Sequence, residues 1–206
     1  MNHHIKNIIF DWGGVLVDID LKGCMHEFEK LGMTDVENKL IQFKDNMLAY
    51  ESGRITTADF RQQIRDIIGK PLTNEAIDRA WISMLKTIPE YKLELLLKLN
   101  RQYKVYLLSN TNSLHWEYGS AHLFNYKGKG VEDMFRQVFL SHEMHCAKPS
   151  AEIFTKALAA ASIHAEETLF IDDLQANCDA ACSVGIDGQL YVPGTDLKEL
   201  CLKILS

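Results

Sequence analysis

Five short runs of β-branched and aromatic residues recur along the chain, and polar or glycine-containing turns bound them. The runs lie at 5–10, 105–109, 137–141, 168–172 and 189–192. Because they are almost continuously apolar and of strand length, they are typical of parallel strands covered on both faces. Helical periodicity at 150–161 and 175–184 falls between the later runs. The pattern therefore predicts an α/β fold built on an open parallel sheet.

A different pattern fills the long stretch between the first two runs. Amphipathic helical periodicity recurs there at 21–31, 36–50, 57–68, 74–85 and 90–102. Thr56 and Thr73 are predicted N-caps. The stretch is too long for one crossover helix, so the first four helices are expected to form an insertion and the last to return the chain to the sheet. The predicted boundaries are 1–19 and 89–206 for the α/β core and 20–88 for the insertion.

Composition and charge narrow the classes of partner. The chain has 206 residues, 22 Lys and Arg against 28 Asp and Glu, and a formal net charge of −6. No nucleic-acid partner is expected, because phosphate backbones repel an acidic surface. No membrane span or export signal is expected either, since apolar runs stay well below the roughly 20 residues that a bilayer span needs. Five cysteines without a Cys-x-x-Cys pair indicate reduced thiols in a cytoplasmic protein.

Polar residues follow the predicted strands at the points where the strands end. They are Asp11 after the first, Ser109 and Asn110 after the second, Lys148 in the connection after the third, and Asp172 and Asp173 at the end of the fourth. The carboxyl ends of parallel strands meet at one edge of a sheet, where ligands bind. Three carboxylates there would repel one another without a cation among them. A hard ion such as Mg²⁺, which prefers carboxylate, carbonyl, water and phosphate oxygens, fits this edge.

Four segments at these positions resemble the motifs of the haloacid dehalogenase (HAD) superfamily of hydrolases. They are Phe10-Asp11-Trp12-Gly13-Gly14, Leu107-Leu108-Ser109-Asn110-Thr111, Lys148-Pro149 and Phe170-Ile171-Asp172-Asp173. An Asp at the end of a strand is common, so no single motif is decisive, but four in the family's order are strong support. The resemblance implies a Rossmann-like core with the small helical cap of the family's first subfamily, and residues 20–88 correspond to this cap.

The resemblance also implies how the motifs act on a phosphate ester. Asp11 would be the nucleophile that attacks phosphorus and forms an aspartyl-phosphate. Ser109 and the amide of Asn110 would hold the non-bridging phosphoryl oxygens. Lys148 would neutralise the charge on the phosphoryl group and on Asp11.

The metal site is assigned through the same resemblance. Asp11, the backbone carbonyl of Gly13 and Asp173 would bind Mg²⁺, and Asp172 would support them directly or through water. Bound there, the ion would bring two anions, the nucleophile and the phosphate, into contact.

One position departs from the family's usual pattern. Its phosphatases commonly carry a second Asp two residues after the nucleophile, which protonates the leaving alcohol, and Gly13 stands there in this chain. Losing a general acid typically costs about 10² to 10⁴ in rate. An Asp-x-Gly-Gly first motif occurs in a branch that resembles sugar-phosphate phosphatases, so the change does not imply inactivity. Asp18, Asp20 and Glu51 could each supply a substitute acid, and their spacing does not select among them.

The substrate predicted for this chain is a small phosphorylated metabolite, with sugar phosphates as the leading class. Arg54, at a turn in the cap, is either a substrate-binding residue or a surface cation after a helix-ending glycine. Two other functions stay open: metal-independent hydrolysis at carbon, as in the dehalogenases, and a catalytically impaired binding or regulatory protein. The acidic pair Asp172 and Asp173 favours phosphate and metal over the dehalogenase reaction. The chain could act as a monomer or as a homodimer.

Overall fold

A five-stranded parallel sheet forms the centre of the protein, in a computed structural model that describes residues 4–205. The strands are Asn7–Phe10 (β1), Lys104–Ser109 (β2), Gln137–Leu140 (β3), Thr168–Asp172 (β4) and Asp187–Leu190 (β5). Their order is β3-β2-β1-β4-β5. Phe10 at the end of β1 is paired with Leu107 on one side and Ile171 on the other. The predicted α/β fold is confirmed, and the residues that follow β1, β2 and β4 meet at one edge.

Among the described residues, the helices fall into two groups. Between β1 and the return to the sheet lie Leu21–Lys30 (α1), Val36–Gln42 (α2), Lys44–Glu51 (α3), Thr57–Ile68 (α4) and Asn74–Ile82 (α5). The helices of the α/β core are Glu90–Leu99 (α6), Ser113–His122 (α7), Val131–Met134 (α8), Ser141–Met144 (α9), Ala151–Ala161 (α10), Gln175–Ser183 (α11) and Leu197–Leu205 (α12). No helix in this part of the chain has the length and hydropathy that a membrane span requires.

Alternation along β1 explains why the sheet is buried on both faces. Ile8 and Phe10 belong to one apolar cluster, whereas Ile9 belongs to another that includes Leu108 and Phe170. Successive side chains of a strand point to opposite faces, so each face receives its own layer of helices. Full burial of such a side chain contributes about 1.5–3 kcal/mol. The sheet is thus a rigid platform for the loops at its carboxyl edge.

The inserted helices have an apolar core of their own, built around aromatic rings. The ring of Phe60 lies 4.6 Å from that of Tyr50 and 5.0 Å from that of Trp81. We call this apolar cluster of the inserted helices the cap core. Leu114 of α7 joins it, so the cluster extends onto a helix that follows β2. The predicted N-caps are confirmed: the Thr56 and Thr73 hydroxyls accept hydrogen bonds from backbone amides of α4 and α5.

Residues 36–50 form two helices, and the single helix predicted from their periodicity is wrong. Phe43 lies between α2 and α3 and is 4% exposed. Its ring packs with the centroid 5.8 Å from that of Phe60. Burial of this ring in the cap core fixes the direction of the chain at Phe43, so one helix ends and another begins there.

Other element boundaries differ from prediction in smaller ways. The last strand is Asp187–Leu190, slightly earlier than 189–192, and Ser141 begins α9 where a strand end was expected. Helices α7, α8, α9 and α12 were not predicted; in α7 the apolar residues do not gather on one face. The division into core and cap stays a prediction, and residues 1–3 and 206, which the predicted core includes, lie outside the described residues.

Candidate active site

A cavity of about 820 Å³ lies between the carboxyl edge of the sheet and the inserted helices. We call the residues at that edge, Asp11, Ser109, Lys148, Asp172 and Asp173, the core edge. We call the opposing side chains, Met47, Glu51, Trp81 and Met84, the cap wall. All of them line the cavity except Asp172, which lies behind Lys148. The two walls differ in charge and in hydrogen bonding.

Lys148 lies at the centre of the core edge and joins two carboxylates. Its Nζ is 2.8 Å from Asp11 Oδ1 and 2.7 Å from Asp172 Oδ2, and it donates to the carbonyl of Leu108 at 3.0 Å. Asn110 holds the backbone of Lys148 from both sides, since its side-chain amide donates to the Lys148 carbonyl (2.8 Å) and its Oδ1 accepts from the Lys148 N–H (2.9 Å). The strand ends and the Asn110 side chain therefore fix the ammonium beside Asp11.

Burial and charge act against each other on these groups. Burial raises the pKa of Asp11 to about 7, and the nearby Lys148 ammonium only partly offsets it. Burial lowers the pKa of Lys148, but the carboxylates of Asp11 and Asp172 outweigh burial and hold it above its ordinary value. The two carboxylates therefore favour the charged form of Lys148, whereas burial disfavours the charged form of Asp11.

The two adjacent aspartates have different surroundings. Asp172 is fully buried, and besides Lys148 it accepts hydrogen bonds from the Leu174 N–H (2.8 Å) and the Asn177 side chain (2.9 Å). Asp173 is half-buried and forms no hydrogen bond or ion pair with another side chain of the described chain. Burial raises its pKa, and the Asp172 charge adds to the effect. Asp172 therefore supports Lys148, while Asp173 is open to a ligand.

Gly14 makes room for the Asp173 carboxylate. The backbone of Gly14 has φ +76°, and a Cβ at this position would lie 2.2 Å from Asp173 Oδ2. Any other residue would push the carboxylate away and would also be strained by the positive φ. Close packing against the Asp173 carboxylate therefore explains why the second residue after Trp12 in the first motif is a glycine.

The acidic groups at this edge fit a small divalent cation. Asp11, Asp172 and Asp173 each offer a carboxylate oxygen, and the three oxygens lie within 4.8 Å of one another. Because the oxygens of Asp172 already accept hydrogen bonds from Lys148, Leu174 and Asn177, Asp11 and Asp173 are the carboxylates left to bind metal. Gly13 lines the same cavity with its backbone. An oxygen-only donor set of this kind suits Mg²⁺.

The phosphoryl-binding residues predicted from sequence also reach the cavity. Ser109 is 2% exposed and lines the cavity, and its hydroxyl has no hydrogen-bond partner among residues 4–205. Asn110 lines the cavity as well. A buried hydroxyl that lacks a protein partner and faces a cavity is ready to bind a ligand oxygen.

Arg54 is not brought into the cavity with the other predicted residues. Gly53, in the turn after α3, has φ +66°. The Arg54 side chain is exposed and donates to the Ser52 hydroxyl at 2.9 Å. Of its two interpretations in the sequence, the surface cation after a helix-ending glycine fits the structure.

The three acidic residues proposed as substitutes for the missing acid lie in different environments. Asp20 caps α1, and its ion pair with Lys86 at 2.8 Å helps to lower its pKa. The Asp18 side chain is 62% exposed near the cavity mouth. Glu51 is half-buried and belongs to the cap wall. Among the three, Glu51 is the carboxyl that the cap holds inside the cavity.

A buried polar contact between cap and core was not predicted. His115 Nε2 donates to the Trp81 carbonyl at 3.1 Å, and the two rings stack with centroids 4.9 Å apart. Asn112 Oδ1 accepts from the Trp81 indole N–H at 3.4 Å and from the His115 backbone N–H at 3.1 Å. Burial lowers the pKa of His115 to about 4, so the imidazole is neutral. Because α7 was not predicted from the sequence pattern, the spacing Asn112-x-x-His115 gives no signal of this contact.

Comparison with known proteins gives consistent matches over the whole chain. A family model described as haloacid dehalogenase-like hydrolase matches residues 5–185. A D-ribitol-5-phosphate phosphatase from Bacteroides thetaiotaomicron is 33% identical over 204 residues, which is 98% of this chain and 99% of the relative.

Solved structures match the fold closely. A HAD family enzyme from B. thetaiotaomicron, in complex with magnesium and inorganic phosphate, has a TM-score of 0.92 and 44% identity, with 95% of this chain and 98% of that chain covered. A HAD-like family hydrolase from Porphyromonas gingivalis has a TM-score of 0.90 and 31% identity, with 98% of each chain covered.

Proposed function

Because the chain belongs to the haloacid dehalogenase-like hydrolases, we propose that it is a Mg²⁺-dependent phosphatase of small phosphorylated metabolites. Sugar and sugar-alcohol phosphates are the leading substrates, since a full-length relative is a D-ribitol-5-phosphate phosphatase. The observation that carries the proposal is Lys148, which lies between Asp11 and Asp172 in a cavity that also contains Asp173.

The chain's own residues divide the reaction among them. Asp11 attacks phosphorus through the carboxylate oxygen that Lys148 does not bind, and an aspartyl-phosphate forms. Lys148 and the Ser109 hydroxyl bind the phosphoryl oxygens and stabilise their negative charge. Asp11, Asp173 and the Gly13 carbonyl hold Mg²⁺, which lowers the repulsion between the carboxylate and the phosphate. A structure of the related Bacteroides enzyme contains both magnesium and phosphate.

The alternatives are less well supported by the core edge. A metal-independent dehalogenase reaction gives no role to the open carboxylate of Asp173 or to the space that Gly14 leaves for it. A binding protein that had lost catalysis would not need a lysine held by three oxygen acceptors beside a carboxyl with an unused oxygen.

We also propose a cytoplasmic protein that acts as a monomer or homodimer on small metabolites. All five cysteines are free, and only the Cys182 side chain among them is exposed. Free thiols fit a reducing compartment.

Hydrolysis assays with and without metal test the proposed function. We expect release of phosphate from p-nitrophenyl phosphate and from D-ribitol 5-phosphate in Mg²⁺, and loss of release in a chelator. Asp11→Asn is expected to lower kcat by more than about 10⁴-fold, because the nucleophile is gone. Asp179→Asn, on the exposed face of α11, is the matched control and should keep wild-type rates. No hydrolysis of any phosphate in a broad panel would contradict the proposal.

A further inference from the structure

Glu51 is the carboxyl of the cap wall, and like Asp173 at the core edge it has no side-chain partner among the described residues. It is the last residue of α3 and lines the cavity together with Asp11. Its side chain is half-buried and forms no hydrogen bond or ion pair with the residues that the structure describes. Burying a carboxyl without a partner is costly. Such a group is kept where a ligand or a reaction uses it.

The backbone at Glu51 is fixed to the α/β core. The Ser141 hydroxyl donates to the Glu51 carbonyl at 2.5 Å and accepts from the Thr111 N–H at 2.9 Å. Thr111 directly follows Asn110 in the loop after β2. The backbone from which the Glu51 side chain extends is therefore tied to the phosphoryl-binding loop.

The core side of the cavity has no acid at the usual place. A Cβ on Gly13 would lie no closer than 3.6 Å to another atom, on the Ile19 side chain. The position is therefore open, and no neighbouring group of the core occupies it. A proton for the leaving oxygen must come from elsewhere in the cavity.

The environment of Glu51 suits this task. Burial raises the pKa of Glu51 to about 7, and the Asp11 charge adds to it. His142 of α9 and His145, which follows the helix, lie near the turn at Gly53, and His142 Nδ1 donates to the Thr111 carbonyl at 3.0 Å. A carboxyl with a pKa near the working pH can both give and take a proton.

We infer that Glu51 is the general acid and base of the reaction, an inference that rests on the proposed phosphatase function. As Asp11 bonds to phosphorus, the bond from phosphorus to the leaving oxygen breaks and the Glu51 carboxyl gives its proton to that oxygen. The products are the free alcohol, the aspartyl-phosphate and a Glu51 carboxylate. Water then attacks phosphorus, Glu51 takes its proton, and the Asp11–phosphorus bond breaks to release phosphate. The cycle ends with Asp11 ionised and Glu51 protonated, as it began.

The dependence of Glu51→Gln on the leaving group tests this role. The second-order constant kcat/KM reports the steps through departure of the alcohol, so it isolates the first proton transfer. For D-ribitol 5-phosphate, whose leaving alkoxide needs a proton, we expect kcat/KM to fall about 10²- to 10⁴-fold. For p-nitrophenyl phosphate, whose leaving phenolate is stable without one, we expect a fall within about tenfold.

A charge-matched control comes from the same helix. Asp45→Asn removes one negative charge from the exposed first turn of α3 and should leave both constants at the wild-type level. The melting temperature of Glu51→Gln is measured alongside, so that loss of fold is recognised. Equal losses on the two substrates in a folded variant, or no loss on either, would overturn the role of Glu51. A wild-type enzyme without metal-dependent hydrolysis of either substrate would instead overturn the phosphatase function itself.

Discussion

The core edge and the cap wall line the same cavity but differ in how their charged groups are compensated. At the core edge, Lys148 compensates two buried carboxylates at 2.8 and 2.7 Å. The cap wall presents apolar side chains and the single carboxyl of Glu51, which has no partner among the described residues. Compensated charge at the core edge suits a phosphoryl group, which is the same in every substrate. In the proposed reaction the cap wall faces the leaving group, which differs from one substrate to the next.

Removing the central cation of the core edge is expected to lower both activity and stability. Lys148→Met leaves Asp11 and Asp172 without their shared partner, so kcat should fall about 10²- to 10³-fold. Stability should fall by about 3–5 kcal/mol, because buried charges lose their compensation. Urea unfolding and steady-state kinetics measure the two losses.

The control for this change is Lys156→Met, whose exposed side chain pairs with Glu152 on the surface of α10. That variant should keep both activity and stability. Wild-type kinetics in Lys148→Met would show that the core edge does not depend on compensated charge.

His115 tests the contact between the two walls through pH. Its pKa is about 4 in the folded protein against an ordinary 6.5, so the unfolded chain binds the proton more readily. Stability from this group is complete above pH 6.5 and is lost as pH falls toward 4. From about pH 7.5 to about pH 5 the loss is about 2 kcal/mol.

His115→Gln should remove this part of the acid destabilisation in urea unfolding, whatever the carboxylates contribute. His122→Gln, on an exposed turn of the same helix, is the control and should follow the wild type. If His115→Gln and the wild type lose equal stability over this range, the contact with Trp81 does not hold the histidine neutral.

Gly14→Ala tests the metal-binding part of the core edge. A methyl group there would displace the Asp173 carboxylate, and changes next to metal ligands typically cost about 10- to 100-fold in metal affinity. The Mg²⁺ concentration for half-maximal activity should rise by that factor. Gly128→Ala is a matched control, because Gly128 has φ +73° and no atom within 4 Å of its added Cβ. Equal effects of the two changes would assign the loss to backbone strain rather than to Asp173.

Arg54→Ala has the smallest expected effect. The side chain is exposed and bonds Ser52 outside the cavity, so kcat/KM should change by less than about threefold, within the usual range of surface substitutions. A tenfold or larger rise in KM for D-ribitol 5-phosphate would show that Arg54 enters the cap wall when substrate is bound.

The core edge was predictable from sequence, whereas the cap wall was not. Asp11, Ser109 and Asp172 each end an apolar strand, and the meeting of strand ends is a property of parallel sheets that local pattern reveals. Whether Glu51 or Arg54 reaches the cavity depends on the direction of the chain after α3. No local pattern encodes that direction, because packing of the cap core sets it.

The contact of Trp81 with His115 was beyond prediction for a related reason. The two residues are far apart in sequence, and the sequence does not distinguish a buried neutral histidine from a charged surface histidine. Likewise, the break at Phe43 follows from burial of one ring among rings of other helices. In each case the deciding interaction is tertiary.

The Ser141 hydroxyl, bonded at once to the Glu51 carbonyl of the cap and the Thr111 amide of the core, makes that corner a pivot. A swing of the cap that admits substrate while this bond persists must turn about the end of α3. Trp81, also of the cap wall, is bound to the core by the His115 ring and the Asn112 side chain. A rotation about the Ser141 corner would therefore have to break the Trp81 contacts, whereas Glu51 would keep its place beside the core.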